Sequence, residues 1–401
     1  MCEKVLLVSL VFFCFLATFT YNTKTTDHQQ FVYLADAFLH GQLHFRELPG
    51  SYTDLSWYQG KFYMASGPFP VIILTPFVFL WGTNFLQGYI HFLLTALNFY
   101  LLFTIALRLG IKRKIDALWL AFAYLFGTMY LGVALTANSL RFAQVIATSL
   151  LLLAILEYLG KKRFWLIGVL MALAVATRLN LILGLSFFAL GILYATKSRR
   201  GRFVSFSHLC APVFVAGVFL LWYNYARFGN IFDNGYLSSI LTDSLIGISD
   251  APRKALVYSN YRLLSPAFIP TNLYYYFLKG PEAVLSGSTD SYLITPPFLR
   301  PDVFGLWQTN EYTSAIISAP IFFFTLLANA KEAVVRQGWL AALLLFSFLL
   351  LLFTPTQRYF LDLTPFLFVI LLRALAPKIS FPLKIFIVFS FLLNFLLIAR
   401  I

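Results

Sequence analysis

A succession of apolar runs, separated by short charged loops, constrains this chain more than any other feature of its sequence. A run of about 20 apolar residues crosses a bilayer as a helix, because lipid offers no partner for an open backbone group. Runs of this kind fall roughly at 5–20, 86–108, 115–135, 142–158, 164–178, 180–196, 208–226, 313–330, 337–354, 360–375 and 382–399, about eleven in all. No small-x-small cleavage site follows the first, so it reads as a membrane helix. A further run after Gly67-Pro68-Phe69-Pro70 is Pro-interrupted and, at about 15 residues, short of a full span. It predicts a partly inserted or re-entrant element. With 60% hydrophobic and 11% charged residues and a mean hydropathy of +0.79, an ordinary soluble domain is excluded. The expected fold class is an all-α polytopic membrane protein, a single transmembrane domain over 1–401.

The net charge of +14 then reads as topology. With the amino terminus inside, the inner segments are Lys4, Arg108–Lys114, Lys161–Arg163, Lys197–Arg202, Lys331–Arg336 and Arg373–Lys384. They and their flanks hold 17 basic and 4 acidic residues. The two large outer loops, 21–67 and 227–312, hold 9 basic and 11 acidic. Such asymmetry is the positive-inside pattern and no nucleic-acid footprint. The three cysteines lie in or beside apolar segments and suggest neither a disulfide framework nor a metal cluster.

The first outer loop opens YNTKTTDHQQFVYLADAFLHGQ. Thr26-Asp27-His28-Gln29 fits a capping box, which predicts a helix from Asp27 to Gly41. Phe31, Leu34, Ala35 and Phe38 share one face of it, so the helix is expected to lie on the membrane surface, apolar face down. Asp27 would sit in its first turn, where the dipole favours a carboxylate. There it reads as a general base, or as an acidic residue serving the helix start alone. Asp54 is a second carboxylate in the loop. The pair would suit acid/base work or a divalent cation; Asp54 is equally a turn residue between Gly50 and Gly60. The second outer loop, with seven prolines and many tyrosines, is too aromatic for disorder and is expected to fold beside the first.

Arg141, Arg178 and Arg358 fall at outer ends of predicted spans, in TANSLRF, ATRLN and PTQRYF. Charge there is expensive unless paired, and guanidinium grips phosphate bidentately. They read as ligands of a lipid phosphate, or as cations paired with Asp302, Glu311 or Asp362. Lys61 joins them as a phosphate candidate or a solvated loop lysine. His28 and His40 lack metal-ligand spacing, and no metal site is expected from them. No GxSxG, Walker A, HExxH or GxGxxG pattern stands in a usable context, which argues against a nucleotide-driven pump or a serine hydrolase.

The order of these pieces resembles a known group. A helix precedes a loop that begins with Asp27; a Tyr-x-Gly-x-x-Tyr run and a GPFP turn follow. Then come ATRLN at 176–180, WYNYARFGNIFDNGY at 222–236 and QRYFLDLTPFL at 357–367. Together they resemble the bacterial GT-C glycosyltransferases of the dolichyl-phosphate-mannose-protein mannosyltransferase-like group. The resemblance implies a GT-C bundle that moves a sugar from a polyprenyl-phosphate donor to a lipid, glycan or protein acceptor at the outer face of a bacterial inner membrane. In that family the first-loop Asp is the base, which maps to Asp27. Basic residues near the surface hold the donor phosphate, which suits Arg178 and Arg358. The sequence departs from the pattern at His28, where relatives carry a second acid, and at Ala65-Ser66, where they often carry a basic residue or His. The rival readings are a lipid-linked oligosaccharide polymerase or ligase, which needs the arginines without Asp27, and a flippase or secondary transporter.

Overall fold

The structure is a computed structural model that describes residues 2–24, 26–50, 55–236, 238–239, 242, 259–278, 314–353 and 356–399. Helix α1 (Cys2–Asn22) leads through α2 (Gln30–Leu39) to a hairpin of β1 (Leu55–Tyr58) and β2 (Lys61–Met64). There follow α3 (Phe69–Trp81), α4 (Gly88–Arg108), α5 (Lys114–Leu125), α6 (Tyr130–Leu135), α7 (Ser139–Leu159) and α8 (Phe164–Thr177). A 3-10 turn at Leu179–Gly184 enters α9 (Leu185–Ala195), and α10 runs over Arg199–Phe228. The rest comprises α11 (Ile269–Leu273), α12 (Ala315–Ser318), α13 (Ala333–Leu351), α14 (Thr364–Leu375) and α15 (Phe381–Ala399).

Among the described residues, six helices are long and apolar enough to cross a membrane: α1, α4, α7, α10, α13 and α15. The chain is an integral membrane protein. The other expected spans are shorter or broken. The run 115–135 divides into α5 and α6, where the Thr128 hydroxyl donates to the Tyr124 carbonyl (2.6 Å) and accepts from the Tyr130 amide (3.1 Å). The run 313–330 becomes α12 and a 3-10 stretch at Pro320–Leu327. Protein covers the bends at Thr128 and at Ser318–Ala319, and only covered backbone tolerates irregularity at membrane depth. Helix α7 is central, packed between α4 and α8, with α10 outside α8. In its most apolar window 78% of residues are buried, against 11% in α10, which leaves α10 to face lipid.

The first outer loop departs from expectation twice. It contains strands, paired Leu55↔Met64 to Tyr58↔Lys61. Gln59 and Gly60 at the turn have φ of 46° and 78°, the positive values a two-residue hairpin needs. Helix α2, for its part, does not lie apolar face down on a membrane. Phe31, Val32, Leu34, Ala35 and Ala37 are all buried, because the apolar band runs past one stripe. The helix packs on α3, while Phe31 meets Phe142 of α7 and Phe38 meets Tyr223 of α10.

The basic segments gather at one end of the bundle. Lys384 bridges Glu3 (2.6 Å) and the buried Asp116 (2.7 Å). Arg373 grips Glu332 at 2.6 Å and the Leu109 carbonyl at 2.9 Å. Arg163 pairs with Glu157 at 2.9 Å. Helices α7 and α14 start at the opposite end and α8 finishes there, and together they carry the candidate site.

Candidate active site

Asp27 lies three residues before the first residue of α2, not in its first turn. Gln29, at the cap, makes no side-chain capping bond. Tertiary hydrogen bonds replace the box. The His28 carbonyl accepts from the amide (3.0 Å) and hydroxyl (3.1 Å) of Ser139 and from Gln87 Nε2 (3.3 Å). The Ser139 hydroxyl in turn accepts from the Phe31 amide at 3.3 Å, and Gln29 Oε1 accepts from the Gln87 amide at 3.0 Å. The segment is thereby pinned to the start of α7, with Asp27 at a bend and exposed. A Cβ on Gly50 would come within 2.9 Å of Asp27 Oδ1, so the far end of this loop closes on the carboxylate through a residue with no side chain. Asp54 lies outside the described residues.

Two residues beyond Ser139 stands Arg141, in the first turn of α7, where the Asn138 side chain accepts its amide hydrogen bond at 2.9 Å. Gln144 is one turn deeper on the same face, as three-residue spacing requires. Its Nε2 donates to Asp362 Oδ1 at 2.7 Å. Asp362 is 1% exposed and ends the 3-10 turn Gln357–Asp362. Arg178, just past α8, grips it with Nε (3.0 Å to Oδ1) and Nη2 (2.9 Å to Oδ2). Asn180 Nδ2 donates to Oδ2 at 2.7 Å. The Tyr359 ring carries the Arg178 guanidinium at 5.0 Å and that of Arg358 at 5.1 Å, both within cation–π range. The GPFP turn touches the same place: a Cβ on Gly67 would collide with the carbonyls of Ala176 and Thr177, immediately before Arg178.

The structure thus brings Arg178 and Arg358 onto one aromatic ring, and Arg141 stands one helical turn before Gln144, which bonds Asp362. Of the ion-pair partners considered for the arginines, Asp362 takes Arg178, while Asp302 and Glu311 lie outside the described residues. Arg178 turns its Nε and Nη2 edge to Asp362, and among the described residues Nη1 takes no hydrogen bond. Lys61 takes no place in these contacts. It is exposed near the hairpin turn, and its charge, after burial, helps hold the His44 imidazole below its ordinary value.

The hairpin packs on the start of the second outer loop. Ser56 donates to the Gly235 carbonyl at 2.7 Å, and the Trp57 amide to the Thr242 hydroxyl at 2.9 Å. Arg227, 4% exposed, donates to the Met64 carbonyl and lies over Tyr223 at 3.9 Å. This arginine of the WYNYARFGN motif therefore ties the two loops together.

Sequence reasoning missed Gln144, Asn180 and Tyr359, and named Asp362 only as a bland partner. The available signal was an acid inside QRYFLDLTPFL, since a carboxylate in an apolar run needs a cation.

No protein-family model matches the sequence, and no curated protein does. Among solved structures, the fold is similar to that of the oligosaccharyltransferase of Archaeoglobus fulgidus in the apo form. The TM-score is 0.54 at 13% identity, covering 98% of this chain and 56% of that one. The archaeal oligosaccharyltransferase AglB of the same organism, in complex with an inhibitory peptide and a dolichol-phosphate, matches at a TM-score of 0.48 and 12% identity, covering 99% and 55%. This chain therefore spans about half the length of the structures it matches. At such identity the likeness is one of fold, and the fold is GT-C-like.

Proposed function

We propose that this protein is a membrane glycosyltransferase that moves a sugar from a polyprenyl-phosphate-linked donor to an acceptor at the end of the bundle carrying Asp27. The observation that carries the reading is an exposed carboxylate, Asp27, on a segment pinned to the start of α7, the helix whose Gln144 reaches the Arg178–Asp362 pair beside Arg358. An acceptor hydroxyl or amide gives its proton to Asp27 as its heteroatom bonds the sugar's anomeric carbon. The anomeric carbon–oxygen bond breaks, and its electron pair leaves with the polyprenyl phosphate. Arg358, Arg141 and Nη1 of Arg178 stabilise the charge that develops on that phosphate. The positive-inside balance supports an outer-face position for this end, which in a bacterium is the periplasmic side of the inner membrane.

The order of motifs supports the mannosyltransferase-like reading, with transfer of a single sugar. The fold likeness favours a second reading, transfer of an oligosaccharide from a lipid carrier to a protein acceptor. Asp27 with Asp54 would be the carboxylates to hold a divalent cation, if the reaction uses one.

Purified protein in nanodiscs, supplied with radiolabelled polyprenyl-phosphate sugars and polyprenyl-linked oligosaccharides, tests the proposal. Asp27→Asn is expected to lower transfer at least about a hundredfold, the scale of a lost general base, with unchanged thermal unfolding. Wild-type rates in that variant would remove Asp27 from the mechanism.

A further inference from the structure

A cleft of about 380 Å³ opens at the basic end of the bundle, where the proposed reaction has no use for it. It lies between the end of α7, the end of α9 and the start of α13. It is on the far side from Asp27: α8 leads from Lys162, on the cleft, to Arg178, and its 14 residues span about 21 Å.

Three features define what it accepts. The first is positive charge. Lys162 lines the cleft, exposed, with φ of 54°, a left-handed conformation that glycine normally takes. Its ammonium lies 5.7 Å from the Tyr158 ring. Arg373 is a second lining cation, held by Glu332, and Arg336 lies 4.7 Å over the ring of Tyr194, which lines the cleft. One lining carboxylate, Glu332, opposes these three. The second feature is the start of α13: Ala333 and Val334 line the cleft, and the cap residue Glu332 supplies no side-chain capping bond. Open amides and the positive end of a 19-residue helix dipole favour an anion there. The third is Gln337, 2% exposed and lining the cleft, whose Oε1 finds no hydrogen-bond partner among the described residues. A buried acceptor of this kind asks for a donor.

An anion alone leaves Gln337 unsatisfied, and a neutral hydroxyl compound leaves the cations unused. We infer that this cleft, through Lys162, the start of α13 and Gln337, binds the headgroup of an anionic phospholipid that carries a hydroxyl, such as phosphatidylglycerol. The lipid comes from the leaflet opposite the active site. The location supports a lipid: the cleft sits among basic loops at a bundle end, where headgroups lie and the exposed ring of Tyr194 suits the interface. Its phosphate would meet Lys162 and the helix amides, its hydroxyl Gln337, and its glycerol backbone the apolar wall of Leu159.

Native mass spectrometry of the full chain tests this, with phosphatidylglycerol, phosphatidylcholine or phosphatidylmethanol added, the last an anionic diester without a headgroup hydroxyl. Phosphatidylglycerol is expected to be retained about tenfold over phosphatidylcholine, and Lys162→Glu to lower that retention about fivefold or more. Gln337→Leu should abolish the preference for phosphatidylglycerol over phosphatidylmethanol, about threefold in the parent. Equal retention of the charged and zwitterionic lipids, or indifference to Lys162→Glu, overturns the proposal. Displacement of the lipid by millimolar sn-glycerol 3-phosphate would assign the cleft to a soluble phosphate ester and also overturn it. Lys162 is exposed and its replacement leaves the packing intact, so that arm stands if the Gln337 variant fails to fold.

Discussion

Replacing Asp362 with asparagine removes the negative charge against which Arg178 is held. The two carboxylate oxygens accept from Arg178, Gln144 and Asn180 at 2.7–3.0 Å. The side chains of Arg178 and Asp362 are 16% and 0% exposed. At an effective dielectric of about 20, unit charges about 4 Å apart attract by about 4 kcal/mol. Removing one partner of a buried pair typically costs about 3–5 kcal/mol, because the other charge is left without compensation. Asp362→Asn also turns an amide donor toward three donors, so the upper half of that range is expected. The double variant Arg178→Met, Asp362→Leu should recover most of the loss, because apolar replacement of a whole buried pair is often neutral. It should nevertheless lack sugar transfer, since the proposed phosphate site would have lost a cation. The assay is denaturant unfolding in nanodiscs beside donor turnover, on wild type, Asp362→Asn, and the double-mutant cycle of Arg178→Met with Asp362→Leu. Should Asp362→Asn unfold within about 1 kcal/mol of wild type and keep its rate, the pair does not organise this site and the argument from it collapses.

Two further outcomes follow from the packing around the cluster and the hairpin. Gly67→Ala puts a methyl group into the carbonyls of Ala176 and Thr177. Overpacking of this kind costs about 1–3 kcal/mol, and a displaced Arg178 should lower turnover by about a hundredfold; unchanged turnover would detach the GPFP turn from the site. His44 is held below its ordinary value of 6.5 by burial and by the charge of Lys61. The neutral ring is thus favoured in the fold, and the stability it contributes is full above about pH 6.5 and lost as pH falls through the depressed value. A His44 proton titration by NMR should move upward in Lys61→Met, and an unmoved midpoint would show that Lys61 does not act on it.

Much of the site was legible as a list of residues but not as an arrangement. Arg178 and Arg358 stood out because charge at the end of an apolar run needs a reason, and both reach the Tyr359 ring. Asp27 stood out for its place in the first loop. Its supposed helical cap did not survive, because Ser139 and Gln87, over 50 residues away, took the hydrogen bonds that local spacing assigns to a capping box. Local pattern sees neighbours along the chain; it does not see a competing donor from another helix.

The sequence by itself determined that this chain enters a membrane and which ends of its helices share a side. Apolar length and charge asymmetry act through the bilayer, and each needs only local composition. Tertiary structure alone decided which runs stay whole and which break, that α2 is enclosed instead of lying on lipid, and that Asp362 is the partner of Arg178. Those outcomes depend on what covers each segment. A broken backbone or a buried charge survives where another element satisfies it, and that element is distant in the chain.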